Sequence, residues 1–130
     1  MANELILVVE DNEKNRKLVR DVLNFKGYRL AEAETGEDGV RLARELRPAL
    51  ILMDIQLPGI NGITALAQIR EDPALRHIPV IAVTASAMTQ DRQTIMAAGF
   101  EGYQSKPISV KAFVEAVRQM LDRTSAQRGH

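Results

Sequence analysis

The sequence predicts a doubly wound α/β domain on a five-stranded parallel sheet. Two observations carry that prediction: short apolar runs alternate with helical patterns, and the central runs are apolar without alternation. The runs are Leu5–Val9, Tyr28–Ala33, Leu50–Met53, Val80–Val83 and Gly102–Gln104. The first, third and fourth are nearly continuous apolar stretches, as strands covered on both faces require. The second and fifth are more polar, as edge strands are. Strand and helix alternate throughout, which implies βαβ units. The pattern leaves strand order open.

Each intervening segment has its own signals. Leu18, Val19, Val22 and Leu23 repeat at helical spacing, and Gly27 supplies a stop. Val40, Ala43 and Leu46 follow Thr35, which with Asp38 resembles a capping box, and Pro48 ends that helix. Ile63, Leu66 and Ile69 form a third stripe that stops before Pro73. The segment from Thr89 to Ala98 is the weakest helix, with Ile95, Met96 and small residues ahead of Gly99. The last is the cleanest: Val110, Phe113, Val114, Val117 and Leu121 lie behind a candidate N-cap, Ser109. That helix is predicted to end near Asp122, giving a domain over 1–123 and a short polar tail over 124–130 with no output domain after it.

Composition agrees with one soluble core. The chain has 130 residues, 45% apolar and 26% charged, and its 17 basic and 17 acidic side chains cancel. Without cysteine there is no disulfide framework, thiolate metal site or cysteine nucleophile. Zero net charge argues against a nucleic-acid binder, which shows a basic excess. Arg123 and Arg128 are too few for a nucleic-acid arm. The apolar runs are too short to span a membrane, and the first meets Glu10 and Asp11 at once, unlike a signal peptide. A cytoplasmic location is expected.

In open α/β sheets ligands bind beyond the carboxyl ends of the strands. The polar residues leaving those ends are Glu10 and Asp11, Asp54, Thr84, and Lys106 with Pro107. Singly, each has a bland role: a helix start, a turn, a strand residue, a solvated ammonium. Together they are a cluster of acids whose repulsion a cation would offset. Hard oxygen ligands in a partly open site suit Mg²⁺. A phosphoryl group on Asp54 would need a further positive charge and a neutral donor, and Lys106 and Thr84 have the chemistry for both. The residues thus point to an aspartate nucleophile that accepts a phosphoryl group with Mg²⁺ assistance.

These residues also carry a family resemblance. Val9-Glu10-Asp11-Asn12, Leu52-Met53-Asp54 with Pro58 and Gly62, Val83-Thr84-Ala85, and Tyr103 with Ser105-Lys106-Pro107 occur in order over nearly the whole chain. The set resembles the receiver domain of bacterial two-component response regulators. The stretches Ile78–Ala85 and Lys106-Pro107-Ile108 are similar to stand-alone regulators of cell polarity and the cell cycle, and to receivers of hybrid sensor kinases. The resemblance implies a flavodoxin-like sheet of order 2-1-3-4-5. It implies transfer of phosphate to Asp54 from a phosphohistidine on a sensor histidine kinase or a histidine phosphotransfer protein. It implies Mg²⁺, with Mn²⁺ as a substitute, on Asp11, Asp54 and the Gln56 backbone carbonyl, Glu10 acting largely through water. Thr84 and Lys106 would hold phosphoryl oxygens, and the Lys106–Pro107 bond would be cis. Glu10 replaces an aspartate common in the family, so a carboxylate is kept with altered reach. Gln56 and Ser86 border the path of the hydrolytic water.

Phosphorylation adds about −1.5 to −2 charge and strong acceptors. If Thr84 turns inward to donate to them, Tyr103, the family's aromatic switch, can rotate into the vacated space. The readout surface is then the Thr89–Ala98 helix, the fifth strand and the Ser109–Asp122 helix, facing a downstream effector protein. The chain would act as a monomer or as a weak phosphorylation-dependent dimer. Other residues read blandly: His77 and His130 form no metal site, and Met88 and Met96 pack. Three other functions compete. A flavin carrier would want a phosphate loop where Glu10 and Asp11 repel phosphate. An aspartyl-phosphate phosphohydrolase would want a second acid where Gln56 stands. A docking module would not need the full chemical set. Within signalling, a terminal regulator competes with a phosphorelay intermediate.

Overall fold

A computed structural model of the chain describes residues 3–85, 89–106 and 108–128, with side chains except those of 89–91 and 124–128. The expected cis Lys106–Pro107 bond, and the expectations for Ser86, Met88 and His130, lie outside the described residues. Five strands, β1 (Leu5–Val9), β2 (Arg29–Ala33), β3 (Leu50–Asp54), β4 (Val80–Thr84) and β5 (Gly102–Ser105), alternate with five helices. The helices are α1 (Glu13–Phe25), α2 (Gly36–Leu46), α3 (Gly62–Glu71), α4 (Thr89–Ala97) and α5 (Val110–Arg128), with one 3-10 turn at Pro73–Leu75. The sheet is parallel, of order β2-β1-β3-β4-β5, so the two polar runs form its edges.

The pleat of β1 divides the core. Leu7 and Val9 face one layer, with Val40, Ala43, Leu66 and Ile69 from α2 and α3. Ile6 and Val8 face the other, with Val19 and Leu23 of α1 and Phe113, Val117 and Leu121 of α5. β1, β3 and β4 are buried on both faces, which is why their sequences lack polar alternation.

Helix starts are set by side-chain caps. Asn12 accepts from the Asn15 N–H at 3.1 Å, Thr35 from Asp38 at 3.1 Å and Asn61 from Thr64 at 2.9 Å. Five boundaries differ from expectation. Asp54, Thr84 and Ser105 are the last residues of their strands rather than the first beyond them, because the ladder still pairs Asp54 with Val83 and Thr84 with Ser105. Tyr28 precedes β2: its N–H donates to the Leu23 carbonyl at 3.1 Å, completing the turn that closes α1. α5 continues past Asp122 to Arg128, through residues that contain no helix breaker before Gly129.

The segment joining β3 to α3 is folded back hard. Gly62 donates its N–H to the Ile55 carbonyl at 2.9 Å. A Cβ there would overlap the Asp54 carbonyl oxygen and stand 2.9 Å from the Ile55 Cα. Both obstacles are backbone, so neither can move alone. Gly62→Ala should therefore lower stability by about 1–3 kcal/mol, read from urea unfolding, and should displace the loop that leaves Asp54. An unchanged midpoint would refute this account of the glycine.

Candidate functional site

The parallel sheet sends the C-terminal ends of β1, β3, β4 and β5 to one edge, and the polar residues collect there. Glu10, Asp54 and Thr84 are the buried polar or charged residues of the described chain, at 5%, 4% and 2% exposure, while Asp11 is exposed. One carboxylate oxygen from each of Glu10, Asp11 and Asp54 lies within 4.8 Å of the others. The Lys106 ammonium bridges the two buried acids, 2.8 Å from Glu10 Oε1 and 2.9 Å from Asp54 Oδ2. The second oxygen of each acid accepts a backbone N–H two residues on, Asn12 to Glu10 at 3.1 Å and Gln56 to Asp54 at 3.0 Å.

Local backbone bonds fix these positions. The Glu10 N–H donates to the Ala33 carbonyl at 2.9 Å, tying the end of β1 to the end of β2. The Lys106 N–H donates to the Thr84 carbonyl at 2.7 Å, which extends the β4–β5 ladder by one step and aims the lysine at the cluster. Among the described residues no buried side-chain nitrogen or oxygen lacks a hydrogen-bond partner.

Burial is the largest influence on Glu10, and with the adjoining Asp54 carboxylate it pushes the Glu10 carboxyl up to about 7, against the pull of Lys106 and the Asn12 N–H. For Lys106, burial works against the charge, but the bonds to Glu10 and Asp54 outweigh it and raise its pKa. The donor set of converging carboxylate oxygens with a partly open mouth fits a hard divalent cation such as Mg²⁺.

The structure brings Glu10, Asp11, Asp54 and Lys106 into one constellation, with the buried Thr84 at the end of the adjoining strand and the exposed Gln56 joined to Asp54 through its N–H. Tyr103 sits apart on β5, half-buried against the layer of α2, α3 and α4, with the Arg92 guanidinium carbon 5.7 Å from its ring centroid. Sequence reasoning missed Arg16, whose Nη1 donates to the Glu10 carbonyl at 3.0 Å. The sequence offers only the i, i+4 spacing of Arg16 and Arg20; their shared pairing with Glu32, and that of Arg16 with Glu34, appears in the structure.

Comparison with known proteins agrees with this fold. The response regulator receiver domain family matches residues 6–118. The chain is 49% identical over 116 residues to the polar-differentiation response regulator DivK of Brucella anthropi, covering 89% of this chain and 94% of that protein. Among solved structures it is similar to the receiver domain of a sensor histidine kinase from Pseudomonas aeruginosa, which has a magnesium ion coordinated in its active-site cleft. That match has a TM-score of 0.87 and 33% identity, covering 92% of this chain and 98% of that one. A response regulator receiver domain protein from Methanospirillum hungatei matches with a TM-score of 0.87 and 25% identity, over 95% and 98% of the two chains.

The raised Glu10 carboxyl makes metal-free stability depend on pH. Its folded pKa of about 7 exceeds the ordinary 4.5, so its contribution is fully present below about 4.5 and is lost as pH rises through about 7. In EDTA, unfolding free energy should therefore fall by roughly 1–3 kcal/mol more between about pH 5 and pH 8 in the wild-type chain than in Glu10→Gln. Equal pH slopes for the two proteins would refute the assignment.

Proposed function

The chain belongs to the response regulator receiver domain family, and from that premise we propose that Asp54 accepts a phosphoryl group from a phosphohistidine and switches protein contacts. It is a response regulator, not a turnover enzyme. The observation that carries the proposal is the Lys106 ammonium held between Glu10 and Asp54 beside the three-carboxylate cluster.

The chemistry follows from those groups. An Asp54 carboxylate oxygen forms the new O–P bond as the P–N bond of the phosphohistidine breaks, and the leaving imidazole takes the electron pair. Lys106 exchanges its contact with Asp54 for a phosphoryl oxygen, and the Thr84 hydroxyl donates to another. Mg²⁺, or Mn²⁺ in its place, would be held by Asp11, Asp54 and the Gln56 carbonyl, with Glu10 acting through water, and supplies positive charge opposite the phosphoryl oxygens. The 33% identical Pseudomonas receiver, with its coordinated magnesium, supports that choice.

A histidine kinase is the class of partner that receiver membership implies. A terminal regulator of the polar-differentiation kind is favoured by 49% identity to DivK over 94% of that protein. A phosphorelay intermediate, passing the group on to a histidine phosphotransfer protein, is the second reading, favoured by the likeness to a sensor-kinase receiver. In either, Thr84 and Tyr103 couple the site to α4, β5 and α5, toward which a downstream partner would bind.

With Mg²⁺ and a small acyl-phosphate donor, intact mass should increase by one phosphoryl group, and Asp54→Ala or EDTA should abolish the gain. Phosphorylation should change hydrogen exchange in α4 and β5 of the wild-type chain. Thr84→Ala and Tyr103→Ala should accept phosphate with that change reduced. A mass gain that survives Asp54→Ala would overturn the assignment of the acceptor.

A further inference from the structure

Arg16 lies in α1 within one turn of the Asn12 cap, yet its side chain is only 13% exposed. Its guanidinium makes three contacts that join different parts of the chain. Nη1 donates to the Glu10 carbonyl at 3.0 Å, Nε lies 3.2 Å from Glu32 Oε1 on β2, and Nη1 also lies 3.4 Å from Glu34 Oε1 just beyond β2. Arg20, one turn on, meets the same Glu32 oxygen at 2.9 Å but makes no contact with Glu10.

The contact with Glu10 bears on the site because of where the carbonyl sits. It belongs to the peptide that joins Glu10 to Asp11, the two consecutive acids of the cluster. The N–H of Glu10 is bonded to Ala33, and its side chain caps the Asn12 N–H. With the carbonyl held by Arg16, every polar group of Glu10 has a fixed partner, and the peptide leading to Asp11 has one orientation. Asp11 itself is exposed, so its direction depends on that peptide rather than on packing.

We propose that Arg16 is a positioning residue: braced by Glu32 and Glu34, it holds the Glu10–Asp11 peptide so that both carboxylates converge on the divalent cation. This rests on the reading of the acidic site as a cation site, and it gives the edge strand β2 a part in that site. Groups behind metal ligands typically change affinity 10- to 100-fold when removed.

Charge alone predicts the opposite sign. Arg16→Met removes a positive charge near the acids, so a purely electrostatic role would tighten Mg²⁺ binding. The positioning role predicts about 10-fold weaker binding, measured by isothermal titration of Mg²⁺ into the metal-free chain. Arg16→Lys, which can replace one contact but not the fork, should be intermediate. The double variant Glu32→Gln/Glu34→Gln should weaken binding in the wild-type background and have little further effect beside Arg16→Met, since both act through one guanidinium. Arg20→Met, which leaves the Glu10 contact intact, should bind within about 2-fold of wild type.

Thermal unfolding in EDTA separates a merely structural role, which would lower the midpoint of Arg16→Met and leave its Mg²⁺ affinity unchanged. Unchanged or tighter binding by Arg16→Met, with normal wild-type binding, would overturn the role of Arg16 alone. A wild-type chain that binds no Mg²⁺ would overturn the reading of the site and this inference with it.

Discussion

Two carboxylates buried side by side are held in this fold by a single ammonium. Removing Glu10 and Asp54 from water disfavours their charges, and placing them together disfavours them again. Lys106 is the compensation, 2.8 Å from one and 2.9 Å from the other. A buried ion pair of this kind contributes little net stability beside an apolar alternative, because desolvation offsets most of the attraction. It makes sense as stored electrostatic need. Asp11 adds a third negative group at the mouth, so the cluster remains short of positive charge after Lys106 is counted.

Everything else in the fold serves to keep that arrangement from relaxing. Repelling acids would separate if their strands could slide, but β1, β3 and β4 are locked in one parallel register and buried on both faces. The backbone beyond each strand is tied as well: Glu10 to Ala33, Gly62 to Ile55 and Lys106 to Thr84. Gly62 is part of this constraint, since only the absence of a Cβ lets α3 begin against the carbonyl of Asp54.

The sequence carries the site more fully than its support. Continuous apolar runs identify β1, β3 and β4, and the residues that end them are necessarily gathered by a parallel sheet, so Glu10, Asp54 and Thr84 are legible without coordinates. Strand order is not legible from pattern, because either neighbour of a central strand satisfies the same hydrophobicity; the family resemblance supplies it. Tyr28 looks like the start of β2 because aromatic residues favour strands, yet its N–H closes the end of α1. Arg16 is lost among the surface charges of an amphipathic helix. Its contact with Glu10 is to a carbonyl, and carbonyls have no sequence signature.

The two ends of the sheet are built for different tasks. At the end away from the acids, Arg70 reaches from α3 to the Ile78 carbonyl at 2.8 Å and to Glu101 at 2.7 Å, and Glu101 in turn accepts the Val80 N–H at 2.8 Å. The starts of β4 and β5 are thereby clamped to each other and to α3. The chain leaving α4 is anchored by the buried Phe100, but Ile95 is the one buried residue among the described side chains of α4 itself. An element secured at one end and lightly packed along its length has a low free energy of local displacement. Thr84 and Lys106 lie at the far ends of the same two strands that the clamp secures. Movement at the acidic end would therefore be taken up most readily by α4 and by the C-terminal ends of β4 and β5, whose N-terminal ends the Arg70–Glu101 clamp secures.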